Sequence, residues 1–405
     1  MRVNVIGLGY IGLPTALMLA AGGTEVIGTD INQSIVNNLS EGMVGFEEKG
    51  LQELFEKAKM NNIIFTTKYE KADIYIVAVP TPYVKSNKKV DATYVKSAVN
   101  SVLDVCDSGS IVVIESTISP GTIDRQIRPI IEKHEKVKDI HLVHAPERII
   151  PGSMIYELEH NNRTIGADEE SIGEEIKKLY QTFCKGEITV TNIKTAEMTK
   201  VVENTYRDIN IAFANELTKI CRADNLDVYE IIKIANMHPR VNILAPGPGV
   251  GGHCISVDPW FLVGDYPGLA NIVLAARKIN DSMPEFVLER ISKIMEDNGI
   301  ADVSRVGLYG LTYKENVDDV RESPTLQLLE CMKRHLAGGI KVYDPYIHEN
   351  IVKNQYQDYK EFLSSIDMLV VMVGHNHLIR NMDLLKDKVV LDTRNVCSFK
   401  NVYKL

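Results

Sequence analysis

The chain has 405 residues, a length that predicts two or three domains, and its 45% hydrophobic and 24% charged residues are typical of a globular protein with a sizeable core. Its 45 Lys and Arg residues against 54 Asp and Glu residues give a formal net charge of −9, which argues against a protein that binds nucleic acid or an anionic membrane surface. The six cysteines show no paired spacing, so neither a disulfide framework nor a zinc site is indicated.

Three further absences narrow the class of protein. No apolar run approaches the ~18 residues of a membrane span. Arg2 stands directly before an apolar strand, which leaves no room for a signal peptide. No set of three or four ligands at a recognisable metal spacing surrounds His238 or His253, so we predict no metal. We expect a soluble, cytoplasmic protein with no membrane or nucleic-acid partner.

Short β-branched runs alternate with helical segments through the first part of the chain. These runs are too apolar for half-exposed strands and predict a buried parallel sheet. They cover residues 3–6, 25–29, 74–79 and 111–114. Because the order is βαβα, we predict a doubly wound, Rossmann-like domain over residues 1–192.

A glycine-rich turn, Gly7-Leu8-Gly9-Tyr10-Ile11-Gly12, follows the first predicted strand and opens a helix. Gly7 allows the tight turn, Gly9 lets a pyrophosphate approach the backbone, and Gly12 lets helix and strand pack closely. Asp30 ends the second strand, where its carboxylate can accept both ribose hydroxyls of NAD and repels the 2′-phosphate of NADP. A helix N-cap is compatible with the same position. We predict NAD as the cofactor.

The pattern becomes helical after Asn192. Helices are predicted over residues 195–223, 228–237, 268–278 and 283–298. They form an all-helical domain over residues 193–300. On the first of them, Lys200, Asn204 and Arg207 are spaced i, i+4, i+7 and share one face. This face fits either a solvated charged stripe or a set of donors for a developing oxyanion, and the spacing alone does not decide.

A loop rich in Pro and Gly interrupts the helical region between His238-Pro239 and Asp258-Pro259. It holds the run Gly247-Pro248-Gly249-Val250-Gly251-Gly252-His253-Cys254. Small residues let a ligand approach the backbone and keep the sulfur of Cys254 uncovered, which favours a reactive thiol. We expect the other five cysteines to be buried core residues.

The α/β pattern returns from Ser304 in the same order as in the first domain, which predicts a second Rossmann-like domain over residues 301–405. Its first strand leads to Gly310 but lacks the third glycine, since Leu311-Thr312-Tyr313-Lys314 follows. We expect a different phosphate-bearing ligand there, with Lys314 as countercharge, rather than a second NAD. The predicted fold is α/β, with two Rossmann-like doubly wound domains joined by a central all-helical domain.

Together these motifs resemble those of the UDP-sugar 6-dehydrogenases, an NAD-dependent family of four-electron enzymes that includes UDP-glucose dehydrogenase. The resemblance covers essentially the whole chain. It rests on the glycine-rich turn, Val79-Pro80-Thr81-Pro82, Ser116-Thr117, Gly121-Thr122, Pro146-Glu147-Arg148, Lys200 with Asn204, Gly251-Gly252-His253-Cys254 with Asp258, and Lys314 with Arg321-Glu322-Ser323-Pro324.

The chain departs from the UDP-glucose type of this family, whose cysteine motif looks like Gly-Gly-x-Cys-Leu-Pro-Lys-Asp. Here Cys254 is followed by Ile255-Ser256-Val257-Asp258-Pro259-Trp260-Phe261. This variant, with Ile149-Ile150-Pro151-Gly152 and His238-Pro239-Arg240-Val241-Asn242, resembles the branch that acts on UDP-N-acetylhexosamines. Within that branch the resemblance favours oxidation of UDP-N-acetyl-D-mannosamine. UDP-N-acetylglucosamine is the alternative substrate, and UDP-glucose is less favoured.

The resemblance implies two NAD-dependent oxidations that yield UDP-N-acetyl-D-mannosaminuronate through a thiohemiacetal and a thioester on Cys254. The catalytic residues that it implies are Cys254, Lys200, Asn204, Asp258 and Glu147. NAD is expected to contact Gly7, Gly9, Tyr10, Ile11, Gly12, Asp30, Thr81, Thr117 and Arg321. The nucleotide sugar is expected to contact Glu147, Arg148, Lys200, Asn204, Arg207, His238, Arg240, Gly251, Tyr313, Lys314 and Arg394. A homodimer or higher homo-oligomer through the central helices is also implied.

Some alternatives stay open at this stage. The sequence does not decide which of Lys200, Asp258 and Glu147 is the base at each step. A two-electron NAD-dependent hydroxyacid dehydrogenase shares a Rossmann-like domain, a helical middle region and a helical Lys–Asn pair. Such an enzyme has no use for Cys254 or for a second α/β domain. A non-enzymatic NAD-binding redox sensor is a third interpretation.

Overall fold

The computed structural model describes residues 1–46, 48–84, 86–252, 254–334, 339–399 and 402–405. His253 of the glycine-rich run lies outside these residues. The chain forms two compact units, Met1–Glu203 and Asn204–Leu405, and the division falls within one long helix. The division into three domains at residues 192 and 300 stays a prediction.

The first unit is built on one eight-stranded sheet. Its strands are β1 (Arg2–Ile6), β2 (Glu25–Thr29), β3 (Ile64–Thr66), β4 (Ile74–Val77), β5 (Ile111–Ile114), β6 (His141–His144), β7 (Arg163–Ala167) and β8 (Ile188–Thr191). Its helices are α1 (Gly12–Ala21), α2 (Gln33–Ser40), α3 (Leu51–Met60), α4 (Thr93–Leu103), α5 (Arg128–Glu132, after a π-helical turn at Ile123–Ile127), α6 (Met154–His160), α7 (Glu170–Tyr180) and the start of α8 (Ile193–Ala223). The strand order is β3-β2-β1-β4-β5-β6-β7-β8, and among these strands only β6 and β7 pair antiparallel.

The inner strands of this sheet are buried on both faces, as expected for parallel strands covered by helices. Along β4, Ile74 and Ile76 belong to one apolar cluster, which also holds Leu13 and Leu17 of α1. Tyr75 and Val77 belong to a second cluster on the opposite face, with Val95 of α4. This alternation follows because successive side chains of a strand point to opposite faces.

The second unit combines helices with a six-stranded parallel sheet. Its further helices are α9 (Val228–Ala235), α10 (Asp258–Asp265), α11 (Asn271–Asp281), α12 (Met283–Asp297), α13 (Pro324–Arg334), α14 (Tyr359–Ser364) and α15 (Asn376–Arg380), with 3-10 turns at Val303–Arg305 and Met382–Leu385. Its strands are β9 (Val306–Tyr309), β10 (Lys341–Tyr343), β11 (Gln355–Tyr356), β12 (Met368–Val371), β13 (Val389–Asp392) and β14 (Val402–Lys404). Their order is β11-β10-β9-β12-β13-β14.

Both sheets place their first strand between the second and the fourth strand of the unit, which is the strand order of a doubly wound fold. The run of helices from α8 to α12 lies between them in the chain. The predicted fold class is therefore confirmed. Within the described part of the chain, no helix has both the length and the apolar composition that a membrane span requires.

Candidate active site

One edge of the first sheet gathers most of the predicted cofactor residues. Strands β1, β4, β5 and β6 run parallel and end at this edge. The segments that follow these strands hold the glycine-rich turn, Thr81, Thr117 and Glu147. Ligands of open parallel sheets bind outside the carboxyl ends of the strands. The topology thus brings together residues that lie far apart in the sequence.

The glycines of the turn have different roles. Gly7 has a φ of +90°, and a Cβ on it would lie 2.5 Å from the carbonyl oxygen of Ala78. A Cβ on Gly12 would lie 1.9 Å from the carbonyl oxygen of Gly7, whereas a Cβ on Gly9 would meet no atom within 4 Å. Gly7 and Gly12 therefore hold the turn against the sheet. Gly9 leaves open space before the uncapped start of α1, which suits a phosphate group.

The Asp30 carboxylate is hydrogen-bonded to this turn. Its Oδ2 accepts a hydrogen bond from the backbone N–H of Leu8 at 2.8 Å, and its Oδ1 accepts one from Asn32 at 2.8 Å. The N-cap of α2 is Asn32 itself, whose side chain accepts from Ser34, so Asp30 is not the cap of this helix. The neighbouring Ile31 is 80% exposed and carries no charge to receive a 2′-phosphate. The turn and its acid together fit NAD.

Two hydroxyl groups join the loops that follow β4 and β5. Thr81 donates from its Oγ1 to the carbonyl oxygen of Thr117 at 2.6 Å. Ser116 accepts from the N–H of Val79 at 2.9 Å and donates to the Val79 carbonyl at 2.7 Å. Thr81 and Thr117, which the sequence predicts as cofactor contacts, are thus adjacent at the carboxyl edge of the sheet.

Glu147 lies in a buried ion pair that the sequence did not reveal. It is 6% exposed, its Oε1 accepts from the backbone N–H of Arg148 at 2.6 Å, and its Oε2 accepts from the guanidinium of Arg163. Arg163 is 4% exposed and stacks on the ring of Tyr180, with its Cζ 4.4 Å from the ring centre. No local pattern marks Arg163, because its place depends on the antiparallel pairing of β7.

A second buried acid, Glu115, faces the same arginine. Its Oε1 lies 3.6 Å from Nη1 of Arg163 and accepts a hydrogen bond from the hydroxyl of Tyr180 at 3.0 Å. Burial raises the pKa of Glu115 to about 7, since desolvation outweighs the attraction of Arg163, and the nearby Glu147 adds to the rise. Glu115 directly precedes Ser116-Thr117, which is the one sequence signal that could have drawn attention to it.

Two predicted cations of the first unit have contrasting surroundings. Arg148 donates to the carbonyl oxygen of Asn162 at 2.6 Å and to Oγ1 of Thr164 at 2.9 Å, and it pairs with Glu203 at 2.7 Å. Lys200, on α8, is 5% exposed, and its Nζ makes no hydrogen bond or ion pair within the described residues. The Lys200 Nζ thus has donors left for another partner, whereas Arg148 is engaged within its own unit.

In the second unit, Cys254 is exposed, while the other five cysteines, all of them in the described ranges, are buried. The Cys254 carbonyl accepts from the N–H groups of Val257 at 3.1 Å and Asp258 at 2.8 Å, so a tight turn leads from the cysteine into α10. Asp258 is 2% exposed, and its Oδ2 accepts from the Asn204 amide at 2.5 Å. The structure therefore links the cysteine turn to the helix that carries Asn204.

The glycines before Cys254 pack against protein. A Cβ on Gly251 would lie 2.6 Å from the carbonyl oxygen of Glu322, and one on Gly252 would lie 2.8 Å from the ring of Tyr313. The Gly252 N–H donates to the carbonyl oxygen of Arg321 at 2.9 Å. The run of glycines thus allows the cysteine loop to lie directly on the segment that carries Tyr313 and Arg321.

The remaining predicted contacts of the nucleotide sugar are more dispersed. Arg207, His238 and Arg240 are exposed, and Nδ1 of His238 accepts from the Arg240 N–H at 3.3 Å. Arg394 lies beside the start of the glycine run, since a Cβ on Gly247 would be 2.7 Å from its Nη1. Within the described ranges, no group of three or more His, Cys, Asp or Glu residues could hold a metal ion.

The three parts of the chain match models of one protein family. Models of the UDP-glucose/GDP-mannose dehydrogenase family match residues 1–184 with the NAD binding domain, 194–282 with the central domain and 307–399 with the UDP binding domain. A UDP-N-acetyl-D-mannosamine dehydrogenase of Methanocaldococcus jannaschii is 44% identical over 98% of this chain and 92% of its own length. An NDP-N-acetyl-D-galactosaminuronic acid dehydrogenase of Ralstonia nicotianae is 39% identical over 99% and 97%. The native structure of the UDP-N-acetyl-mannosamine dehydrogenase from Staphylococcus aureus has a TM-score of 0.88 at 39% identity, covering 100% of this chain and 98% of that chain.

Proposed function

The chain belongs to the UDP-glucose/GDP-mannose dehydrogenase family and is an NAD-dependent oxidoreductase, and from this premise we propose that it oxidises UDP-N-acetyl-D-mannosamine to UDP-N-acetyl-D-mannosaminuronate. The observation that carries the proposal is the single exposed thiol, Cys254, on a loop whose turn leads to the Asn204–Asp258 pair. The choice of sugar is supported by relatives that act on UDP-N-acetyl-D-mannosamine by name.

The reaction converts a primary alcohol and one water into a carboxylate, and it releases two hydrides and three protons. When bound, NAD supplies the hydride acceptor for both oxidations. We assign its phosphates to the open backbone at Gly9 and its ribose to Asp30, with Tyr10, Ile11, Thr81, Thr117 and Arg321 as further contacts. This assignment is supported by the close packing of Gly7 and Gly12 against the backbone and by the hydrogen bond from the Leu8 N–H to Asp30.

Cys254 makes the second oxidation possible. An aldehyde gives up a hydride readily only after a nucleophile has made its carbon tetrahedral. The sulfur of Cys254 adds to that carbon, the carbonyl oxygen takes up a proton, and a thiohemiacetal forms. Loss of a hydride and of the hydroxyl proton then leaves a thioester. Exposure of the sulfur supports this role, since a buried thiol could not reach a sugar.

Lys200 and Asn204 stabilise the oxygen anions that arise in these steps. Asn204 donates one amide hydrogen to Asp258, which fixes the direction of the amide and leaves its second hydrogen for an oxyanion. Lys200 precedes Asn204 by one helical turn on α8 and brings a cation that has no partner in the described residues. Asp258 is in this proposal the residue that orients Asn204.

Glu147 serves the last step, the hydrolysis of the thioester. Water adds to the thioester carbon, its proton passes to the Glu147 carboxylate, the carbon–sulfur bond breaks, and the thiolate of Cys254 leaves. Thr117 helps to hold this water. The two hydrogen bonds that Glu147 accepts hold its carboxylate in one orientation, which supports this role.

The UDP group is assigned to the second unit, and the sugar to cations of both units. The matched UDP binding domain, residues 307–399, contains Tyr313, Lys314 and Arg394 and supports their assignment. Gly251 of the cysteine loop packs beside Tyr313. Arg148, Arg207, His238 and Arg240 complete the proposed contacts of the nucleotide sugar.

A homodimer through the central helices is also proposed. Tyr206, Phe213 and Ile220 recur every seven residues on α8 and are 63%, 53% and 56% exposed. Residues at this spacing lie on one stripe of a helix, and an exposed stripe of large apolar side chains favours a helical partner. Phe213→Glu should shift the sedimentation coefficient to that of a monomer, and an unchanged coefficient contradicts this interface.

The decisive test of the reaction counts NADH with four substrates side by side: the UDP derivatives of N-acetylmannosamine, N-acetylglucosamine, N-acetylgalactosamine and glucose. We expect two NADH per sugar and by far the highest kcat/KM with UDP-N-acetyl-D-mannosamine. One NADH per substrate points to a two-electron dehydrogenase and contradicts the proposal. A preference for another UDP-sugar leaves the family unchanged but overturns the substrate assignment.

A further inference from the structure

Three buried charged groups meet at the carboxyl edge of the first sheet, and two of them, Glu115 and Arg163, have no part in the reaction described so far. Glu115, Glu147 and Arg163 are 1%, 6% and 4% exposed. Two carboxylates share one guanidinium, which binds Glu147 by a hydrogen bond and approaches Glu115 to 3.6 Å. Burying charges is costly unless they are paired, so this arrangement needs an explanation.

The antiparallel strand explains how the arginine reaches this edge. His144, the last residue of β6, pairs with Gly166 of β7. Because β7 runs in the opposite direction, its first residue, Arg163, lies beyond the end of β6, on the side to which the chain continues toward Glu147. A parallel strand at this place would begin at the other edge of the sheet. The one antiparallel pair thus delivers a cation to the edge where Glu147 lies.

The hydrogen bonds indicate which acid holds the arginine. Glu147 accepts from both Arg163 and the Arg148 backbone, whereas Glu115 accepts from the Tyr180 hydroxyl and lies 3.6 Å from the nearest guanidinium nitrogen. The side chain of Thr15 also faces Glu115. Burial raises the pKa of Glu115 to about 7, in agreement with this distribution.

We propose that Arg163 is a positioning residue that orients the Glu147 carboxylate for thioester hydrolysis. The inference rests on the proposed role of Glu147. The groups that face Glu115 are Arg163 from β7, Glu147 from the loop after β6, Tyr180 from α7 and Thr15 from α1. The aromatic ring of Tyr180 fixes the plane of the guanidinium by stacking.

The test replaces Arg163 with Met and follows the covalent enzyme. Both hydrides leave before hydrolysis, so Arg163→Met should release a burst of two NADH per active site and then turn over on the order of 100-fold more slowly. Intact-mass spectrometry should find the acyl adduct on Cys254, and KM for the nucleotide sugar should change little. A purely structural role would lower the burst and the later rate together and would leave no adduct.

Further variants are measured beside Arg163→Met. Arg128→Met is the matched control, because Arg128 also pairs with two acids, Asp124 and Asp168, but at the surface, and it should behave as wild type. Glu147→Gln should accumulate the same adduct, and adding Arg163→Met to it should cost little more. If Arg163→Met does not fold, Arg163→Lys replaces it and the same burst, turnover and adduct are measured.

The possible failures are distinguishable. If Glu147→Gln forms no adduct, the proposed role of Glu147 is wrong. If Glu147→Gln forms the adduct and a folded Arg163 variant does not, or if the two losses are additive, only the role of Arg163 is overturned.

Discussion

The two sheets of this protein share a scaffold but differ in what their first turns can bind. Gly7 after β1 and Gly310 after β9 have similar φ values of +90° and +101°. Asp30 after β2 accepts from the N–H of Leu8 at 2.8 Å, and Asp344 after β10 accepts from that of Leu311 at 2.6 Å. Both units therefore have the same hydrogen bond between the first turn and the acid that follows the second strand.

The two units differ in what surrounds this turn and its acid. In the first unit, Gly12 opens a helix directly after the turn, and Asp30 is only half-buried. In the second unit, residues 311–323 intervene before α13, and Oγ1 of Thr325 donates to the Gly310 carbonyl. Asp344 is 2% exposed, with Nε2 of His375 at 3.2 Å from its Oδ2. The turn and the acid therefore stabilise the fold in both units, but only the first leaves them open to a dinucleotide.

The largest effect should follow from removing the one reactive group assigned to the second unit. Cys254→Ala should lose steady formation of the uronate by several orders of magnitude, and Cys254→Ser nearly as much, because a hydroxyl is a far poorer nucleophile. NAD affinity, which is assigned to residues other than Cys254, should be unchanged. The control is Cys331→Ala, a buried thiol. Two NADH per sugar from Cys254→Ala, counted spectrophotometrically, would mean that no thioester forms on this residue.

The next prediction separates the contribution of each glycine to stability from its contribution to NAD binding. Gly12→Ala should lower both the Tm and the NAD affinity, since its Cβ would lie 1.9 Å from the Gly7 carbonyl oxygen. Gly9→Ala should keep the Tm and weaken NAD alone, since its Cβ meets no protein atom within 4 Å. Calorimetric unfolding and NAD titration measure the two quantities. Equal losses of Tm in the two variants would contradict the distinction.

A smaller effect compares the two acids directly. Asp30→Ser should weaken NAD by roughly tenfold or more, the loss of a charge-assisted hydrogen bond, and narrow the preference over NADP. Asp344→Asn should leave NAD affinity unchanged, since this carboxylate is enclosed by backbone N–H groups and His375. An unchanged cofactor preference in Asp30→Ser removes Asp30 from the ribose site.

The last prediction concerns stability rather than binding, and it tests Glu115, the buried acid at the carboxyl edge of the first sheet. Because burial raises the pKa of Glu115 from about 4.5 when unfolded to about 7, the folded state is destabilised as the pH rises between these values. Glu115→Gln should therefore gain stability relative to wild type from pH 5 to pH 8, by up to about 3 kcal/mol. The Tm difference between the two proteins at each pH is the measurement. A constant difference means that Glu115 does not titrate in this range.

The sequence predicts most of the first domain because its signals are local. Apolar runs mark β1, β2, β4 and β5, and the glycine spacing and Asp30 stand within the same βαβ unit. The exposure of Cys254 was predicted from the glycines beside it in the sequence. The packing of Gly251 and Gly252 against Glu322 and Tyr313 could not be predicted, because these partners are distant in sequence. Arg163 was not recognisable, since its role depends on an antiparallel pairing that no local pattern encodes.

The uneven exposure of the six cysteines has a practical consequence for labelling and for oxidative damage. A thiol-directed fluorophore should attach to the native wild-type chain at Cys254 alone, without prior removal of the five buried thiols. By the same accessibility, peroxide should oxidise this sulfur first, and early oxidation to the sulfenic acid is reversible by thiols.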